Sequence, residues 1–98
     1  MKIKKSQNDS KLIIALEGRL DTLTAPQLEA ELNASLDVIS ELEFDFKDLE
    51  YISSAGLRVL LSAHKAMAKK DGMKVINVRE EVMEVFELTG FSDILTIE

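Results

Sequence analysis

The sequence has no cysteine and no tryptophan, and only one histidine and one proline among its 98 residues. Without cysteine it has no disulfide framework, no thiolate metal ligand and no cysteine nucleophile, a composition at home in a reducing compartment. A single histidine does not make a zinc site by itself. We therefore expect no metal and no other cofactor.

Long hydrophobic runs and an excess of positive charge are also missing. No apolar stretch approaches the ~18–20 residues of a membrane span, and the start of the chain leads into the polar segment Ser6–Ser10 instead of the apolar stretch of a signal peptide. Lys and Arg number 12 against 18 Asp and Glu, a net charge of −6, which argues against binding to a nucleic-acid backbone or an anionic membrane surface. We expect a cytoplasmic protein without membrane insertion and without direct contact to nucleic acid.

The sequence does contain enough apolar material for one core. Hydrophobic residues make up 46% and charged residues 31%. A chain of this length buries roughly 60–68% of its unfolded surface, too little to divide between two cores. We predict one domain over residues 1–98.

Two strands are predicted first. The apolar run Lys11–Glu17, closed by Gly18, is typical of a buried strand, and the polar segment before it indicates a hairpin back to a strand at Lys2–Lys5.

A helix is then predicted to begin at Thr24. Thr24 is the expected N-cap with Pro26 in the first turn, Gln27 would complete a capping box, and Leu23 with Leu28 would form a hydrophobic staple.

The segment Leu42–Lys47 alternates strictly between apolar and charged residues, which predicts a strand buried on one face only. Helices should therefore cover mainly one face of the sheet. A loop over Asp48–Ser53 is expected to lead into a helix over Ser54–Lys70. The apolar stripe predicted for that helix comprises Leu57, Leu60, Leu61, His64 and Ala68.

The rest of the chain predicts a strand over Met73–Val78, a helix over Glu81–Thr89 with Gly90 as its C-cap, and a last strand over Ile94–Ile97. The order is β-β-α-β-α-β-α-β, an α/β fold with a mixed, mostly parallel sheet, because right-handed crossovers join the strands after the hairpin.

Catalytic arrangements are not apparent in this order. His64 follows Ser54 by ten residues on the same predicted helix, roughly 15 Å along its axis, too far to act as its base. The four glycines stand apart and form no phosphate-binding loop. A phosphoacceptor aspartate of the receiver-domain type is poorly matched, since Asp21 alone resembles part of such a site. Asp45 is interpreted as a solvated position that points away from the core. We predict that the protein is not an enzyme.

Two adjacent hydroxyls, Ser53 and Ser54, stand where the loop becomes the long helix. The simpler interpretation, which spacing alone favours, is that one of them is an N-cap. The other interpretation is a regulatory phosphoacceptor, because the free N–H groups and the dipole at a helix start favour a phosphate.

Four separated segments share a pattern with a known family: Gly18-Arg19-Leu20-Asp21 followed by Thr24-Ala25-Pro26, Phe44-Asp45-Phe46, Tyr51-Ile52-Ser53-Ser54-Ala55-Gly56-Leu57, and Leu88-Thr89-Gly90-Phe91. Together they resemble the STAS domains, specifically small bacterial anti-sigma factor antagonists, over nearly the whole chain. That family usually has Asp-Ser-(Ser or Thr)-Gly-Leu at the helix start, with the first serine phosphorylated. Aligned on Gly56 and Leu57, the resemblance puts the phosphoacceptor on Ser54, Ser53 where the aspartate usually stands, and Ala55 at the second hydroxyl position.

The resemblance implies partner switching. The protein would bind an anti-sigma factor that is a serine kinase and release a sigma factor, the kinase would then phosphorylate Ser54, and a PP2C-type phosphatase would reset it. Ser53 is the alternative phosphoacceptor, and a monomer or weak dimer is expected. Because Ser53 replaces the usual acid, a non-switched STAS adaptor subunit, for example of a lipid-transport ABC complex, stays open as the alternative. The residues expected to contact the partner are Asp21, Thr22, Ser53, Ser54, Ala55, Gly56, Leu57 and Arg58.

Overall fold

One five-stranded sheet with three helices organises the chain, and the computed structural model describes residues 1–98. The predicted α/β order is confirmed. The elements are β1 (Lys2–Asn8), β2 (Lys11–Leu20), α1 (Ala25–Ser35), β3 (Glu41–Ile52), α2 (Ser54–Met67), β4 (Met73–Ile76), α3 (Glu80–Thr89), a 3₁₀ turn (Phe91–Asp93) and β5 (Thr96–Ile97).

The strands lie in the sheet in chain order, β1-β2-β3-β4-β5. β1 pairs antiparallel with β2, and the other neighbours are parallel. Each crossover is right-handed and adds the next strand at the same edge of the sheet. All three connecting helices therefore lie on one face. The mixed, mostly parallel sheet covered on one face is therefore confirmed. On that face Leu12, Ile14 and Leu16 of β2 and Leu42, Phe44 and Phe46 of β3 are each no more than 2% exposed.

Charged side chains occupy the opposite face of the sheet. Glu43 is only 8% exposed there, and its Oε1 lies 3.2 Å from Nζ of Lys11 and 3.4 Å from Nζ of Lys74. The hydrogen bond to Glu43 raises the pKa of Lys11, against the opposing effect of desolvation. The charge that β3 turns away from the core is thus neutralised by its two neighbouring strands.

The central strands are longer than predicted. The predicted loop Asp48–Ser53 is wrong, because β3 continues to Ile52, and Leu49 and Ile52 face the core at no more than 2% exposure. Two register shifts between β2 and β3 interrupt the alternation of apolar and polar residues, so this part of β3 does not have the sequence pattern of a strand. Gly18 adopts φ +104° within this irregular pairing and does not end β2.

The predicted capping box and hydrophobic staple of α1 are also wrong. Thr24 makes no side-chain cap hydrogen bond, and the helix begins at Ala25 with Pro26 in its first turn. Leu23 is 89% exposed and so cannot pack on Leu28, which is fully buried.

α2 ends at Met67 and not at Lys70, and its buried side is rotated from the predicted stripe. Leu61 and His64 are half-buried and Ala68 is exposed. The residues that are buried are Gly56, Leu57, Val59, Leu60, Ala63 and Met67. The stripe is rotated because α2 packs against α1 as well as against the sheet.

The end of the chain keeps its predicted order with shorter strands. β4 ends at Ile76, and β5 comprises two residues because the N–H groups of Ile94 and Leu95 bond to the carbonyl of Phe91 in the preceding turn. Gly90 is the C-cap of α3 with φ 82°, as predicted. No helix is both long enough and apolar enough to cross a lipid bilayer.

Lys70 holds the chain that follows α1. Its Nζ donates hydrogen bonds to the carbonyl oxygens of Leu36 and, at 2.7 Å, of Ile39. Because a helix end leaves carbonyls without partners, we expect Lys70→Met to lower the free energy of unfolding by about 1–2 kcal/mol. Denaturant unfolding tests this, with Lys69→Met as the control since Lys69 makes no such contact. Equal losses for the two variants would contradict the assignment.

Candidate functional site

The carboxyl ends of β2 and β3 and the start of α2 meet at one edge of the sheet. The backbone N–H of Ser53 donates to the carbonyl of Leu20 at 2.9 Å, which ties the β3–α2 junction to the end of β2. The turn after β2 therefore lies beside the first residues of α2. We call this region the Ser54 surface: it comprises Arg19, Asp21, Thr22, Leu23, Tyr51, Ser53, Ser54, Ala55 and Arg58.

The two serines at the junction have different environments. Ser54 is the first residue of α2 and is exposed, whereas Ser53 is half-buried. The Ser53 Oγ is buried and has no hydrogen-bond partner, and although Ser53 stands at the N-cap position it makes no side-chain cap bond. Of the two serines, only Ser54 presents its hydroxyl to a protein that approaches this edge.

Gly56 and Leu57 lie behind the surface. Both are buried, so they position α2 and do not offer side chains to a partner. A Cβ on Gly56 would stand 2.7 Å from Cγ of Leu20 and 2.9 Å from Cγ1 of Ile52. Glycine therefore lets the first turn of α2 approach the ends of β2 and β3 and fixes the position of Ser54.

Asp21 organises the turn between β2 and α1. Its Oδ1 accepts hydrogen bonds from the backbone N–H groups of Leu23 at 3.0 Å and Thr24 at 3.1 Å. The Thr24 hydroxyl in turn donates to the carbonyl of Arg19 at 2.8 Å and accepts from the N–H of Asp21 at 2.8 Å. These bonds replace the predicted capping box, and they hold Leu23 out into solvent.

The Asp21 carboxylate makes the turn sensitive to acid. Desolvation would raise its pKa, but hydrogen bonds from Thr24 and Leu23, together with the charge of Arg19, lower the pKa of Asp21 below its ordinary value. A lowered pKa in the folded state stabilises the fold above the unfolded-state pKa of about 3.9, and this contribution is lost as pH falls through the folded-state pKa. We expect Asp21→Asn to be less stable than the natural protein at pH 7 and the difference to shrink progressively below about pH 4.

Urea unfolding of both proteins between pH 7 and pH 3 measures this difference. Asp93→Asn, a substitution of an exposed aspartate in the 3₁₀ turn, is the control. A gap between the natural protein and Asp21→Asn that is constant over the whole range would contradict the role of the Asp21 charge.

Three exposed side chains on this surface were not predicted from the sequence. The guanidinium carbon of Arg19 lies 4.1 Å from the ring centroid of Tyr51, and Tyr51 is 40% exposed. Leu23, at 89% exposure, adds apolar area in the neighbouring turn. Arg19 and Tyr51 are paired across β2 and β3 only because of the register shifts between these strands. The local sequence pattern could therefore not predict their contact. Such amphipathic and apolar side chains are frequent at protein interfaces.

Thr22, Ala55 and Arg58 meet at a cavity of about 260 Å³ between α1 and α2, which Ala25, Pro26, Glu29 and Val59 also line. Arg58 is exposed, and no carboxylate lies within ion-pair distance of it. The structure therefore brings six of the eight residues predicted to contact a partner together at this surface, whereas Gly56 and Leu57 are buried beneath it.

Catalytic groups are not gathered at this surface. His64 lies near the other end of α2, where it lines a separate cavity with Glu41, Asp71 and Lys74. The structure has no group of three His, Cys, Asp or Glu side chains that could hold a metal ion. What the surface offers is one accessible serine at a helix start, framed by apolar and charged side chains.

The ordered mixed sheet, with its helices on one face and a serine at the start of α2, defines a class of small α/β domains. The model of the STAS domain family matches residues 2–98, and the chain belongs to this family. The match leaves only the first residue outside.

Relatives by sequence include anti-sigma factor antagonists. BtrV of Bordetella bronchiseptica is 39% identical over 99 residues, which cover 99% of this chain and 85% of BtrV. The anti-sigma-B factor antagonist of Bacillus subtilis strain 168 is 32% identical over 96 residues, 97% of this chain and 86% of that protein.

Solved structures show the same fold. The anti-sigma factor antagonist SpoIIAA of Bacillus, in its unphosphorylated and phosphorylated forms, aligns with TM-scores of 0.78 and 0.77. These alignments cover 99% of this chain and 87% and 91% of those chains, at 16% and 17% identity.

Proposed function

We propose that this protein is an anti-sigma factor antagonist switched by phosphorylation of Ser54. Unphosphorylated, it binds an anti-sigma factor that is a serine kinase and so releases a sigma factor in the cytoplasm. The kinase phosphorylates Ser54, and a PP2C-type phosphatase removes the phosphate. The observation that carries the proposal is the exposed Ser54 hydroxyl at the start of α2, in a chain that is 32% identical to an anti-sigma-B factor antagonist.

The surroundings of Ser54 supply a physical basis for the switch. Asp21, Leu23 and Tyr51 frame a surface that a partner would desolvate on binding. A phosphate adds a charge of about −1.5 to −2, which a tightly packed or acidic partner patch cannot accommodate without loss. A loss of about 2–4 kcal/mol corresponds to a roughly 30- to 1,000-fold weaker complex.

Burial of the Ser53 Oγ favours Ser54 over Ser53 as the phosphoacceptor, because a kinase must reach the hydroxyl that it modifies. The test is incubation with ATP and the serine kinase encoded nearby, followed by location of the phosphate by mass spectrometry. We expect one phosphate on the natural protein and on Ser53→Ala, and none on Ser54→Ala. Equal phosphorylation of the natural protein and Ser54→Ala would refute the assignment.

The alternative, a STAS adaptor without a switch, is favoured by one feature: Ser53 provides a hydroxyl where the family usually has an acid. Co-purification with a transport ATPase or permease, together with no phosphate on either serine after the kinase incubation, would support the adaptor and contradict the switch.

A further inference from the structure

The charge balance around Ser54 includes one cation without a partner. Of the two arginines on the Ser54 surface, Arg19 is engaged, since it lies over the ring of Tyr51 and its Nε is 3.8 Å from Oδ2 of Asp21. Arg58 is exposed, lines the cavity between α1 and α2, and makes neither an ion pair nor a side-chain hydrogen bond. A charged side chain so placed beside a modification site is available to an anion.

The helix geometry places Arg58 on the same face of α2 as Ser54. Both residues lie on α2, and they are separated by four positions. Side chains at i and i+4 share a helix face, with Cβ atoms about 5–6 Å apart. Because helix side chains incline toward the N-terminus, a guanidinium at position 58 is within reach of a phosphate on Ser54.

We propose that Arg58 binds the phosphate on Ser54 and is the internal counter-charge of the switched-off state. This inference rests on the proposed function. The guanidinium offers a planar fork of donors that matches phosphate oxygens. In the unphosphorylated protein the same guanidinium is free to meet an acidic patch of the partner. Phosphorylation therefore acts twice: it adds negative charge at Ser54, and it withdraws a positive charge from the partner.

Other charged groups nearby set the background for this pair. Glu29 lines the same cavity as Arg58, and Asp21 follows the end of β2 that is bonded to the start of α2, so both repel a phosphate there. Arg19 is partly neutralised by Asp21. The first-turn N–H groups of α2 also favour the phosphate dianion. An experiment must therefore isolate the contribution of Arg58 from that of the helix start.

Phosphorus-31 NMR titration isolates it, with phosphoserine installed at position 54 by genetic encoding so that no kinase is needed. An adjacent cation lowers the pH at which the phosphate takes up its second proton. In Arg58→Gln we expect the midpoint to rise by about 0.5 pH unit or more relative to the natural sequence, and Arg58→Lys to recover part of the difference. In Arg19→Gln, the matched control, the rise should be smaller.

An unchanged midpoint in Arg58→Gln, or a rise in Arg19→Gln as large as that in Arg58→Gln, would overturn the proposal. Circular dichroism of each variant checks that the fold is retained, which the exposure of both arginines favours. Because the phosphate is installed directly, the titration stays interpretable even if a kinase fails to modify Ser54. Failure of the switch and failure of the Arg58 contact are thus separate results.

Discussion

Gly56→Ala is expected to destabilise the protein by about 1–3 kcal/mol, although alanine is the better helix former by about 1 kcal/mol. The sign is opposite to the helix propensity because the new Cβ would stand 2.7 Å from Cγ of Leu20 and 2.9 Å from Cγ1 of Ile52. Both side chains are no more than 2% exposed, so they have no solvent space into which to move. Chemical denaturation measures the loss.

A double-mutant cycle separates the steric clash from other effects. Leu20→Ala alone removes a buried side chain and should cost about 2–5 kcal/mol. In the Gly56→Ala background it should cost less, because it also removes the atom that is closest to the new Cβ. A stabilised Gly56→Ala protein, or two losses that simply add, would contradict the close packing of α2 against β2.

Ser54→Asp is expected to weaken binding to the anti-sigma factor by about 30-fold or more, since it places a negative charge on the surface that the partner desolvates. Ser54→Ala removes the hydroxyl without adding charge and should bind within a few-fold of the natural protein. Isothermal titration calorimetry with the purified partner measures both affinities.

Ser62→Asp is the matched control for this charge. Ser62 is an exposed serine of the same helix, and it lies eight residues beyond Ser54 and outside the Ser54 surface. It should leave the affinity nearly unchanged. A Ser54→Asp protein that binds as tightly as Ser54→Ala would place the docking surface elsewhere on the molecule.

Local sequence patterns were sufficient for much of the architecture. The alternation in Leu42–Lys47 correctly predicted a sheet covered on one face, since its charged residues had to point away from the helices. The alternation did not predict the part of β3 after Asp48, because the irregular pairing with β2 interrupts the alternation of buried and exposed residues there. A register shift is a property of the pairing between two strands, so it cannot be predicted from the sequence of either strand alone.

The sequence predicted which residues lie at the candidate site, but it did not predict the contacts between them. Ser54 could be singled out because a family pattern and a helix start coincide there. Asp21, by contrast, organises the turn through bonds to Leu23 and Thr24, and these replace the capping box expected from Thr24 and Gln27. The Arg19–Tyr51 contact and the unpaired state of Arg58 follow from the tertiary arrangement, so the sequence alone could not predict them.

Competition for the anti-sigma factor tests whether phosphorylation of Ser54 switches the protein. A preformed complex of fluorescently labelled sigma factor and anti-sigma factor is titrated with the natural protein, with its Ser54-phosphorylated form, and with that form after treatment by a PP2C-type phosphatase. We expect the unphosphorylated and dephosphorylated proteins to displace the sigma factor, and the phosphorylated protein to require a roughly 30- to 1,000-fold higher concentration. Equal displacement by the phosphorylated and unphosphorylated proteins, or displacement by neither, would contradict this expectation.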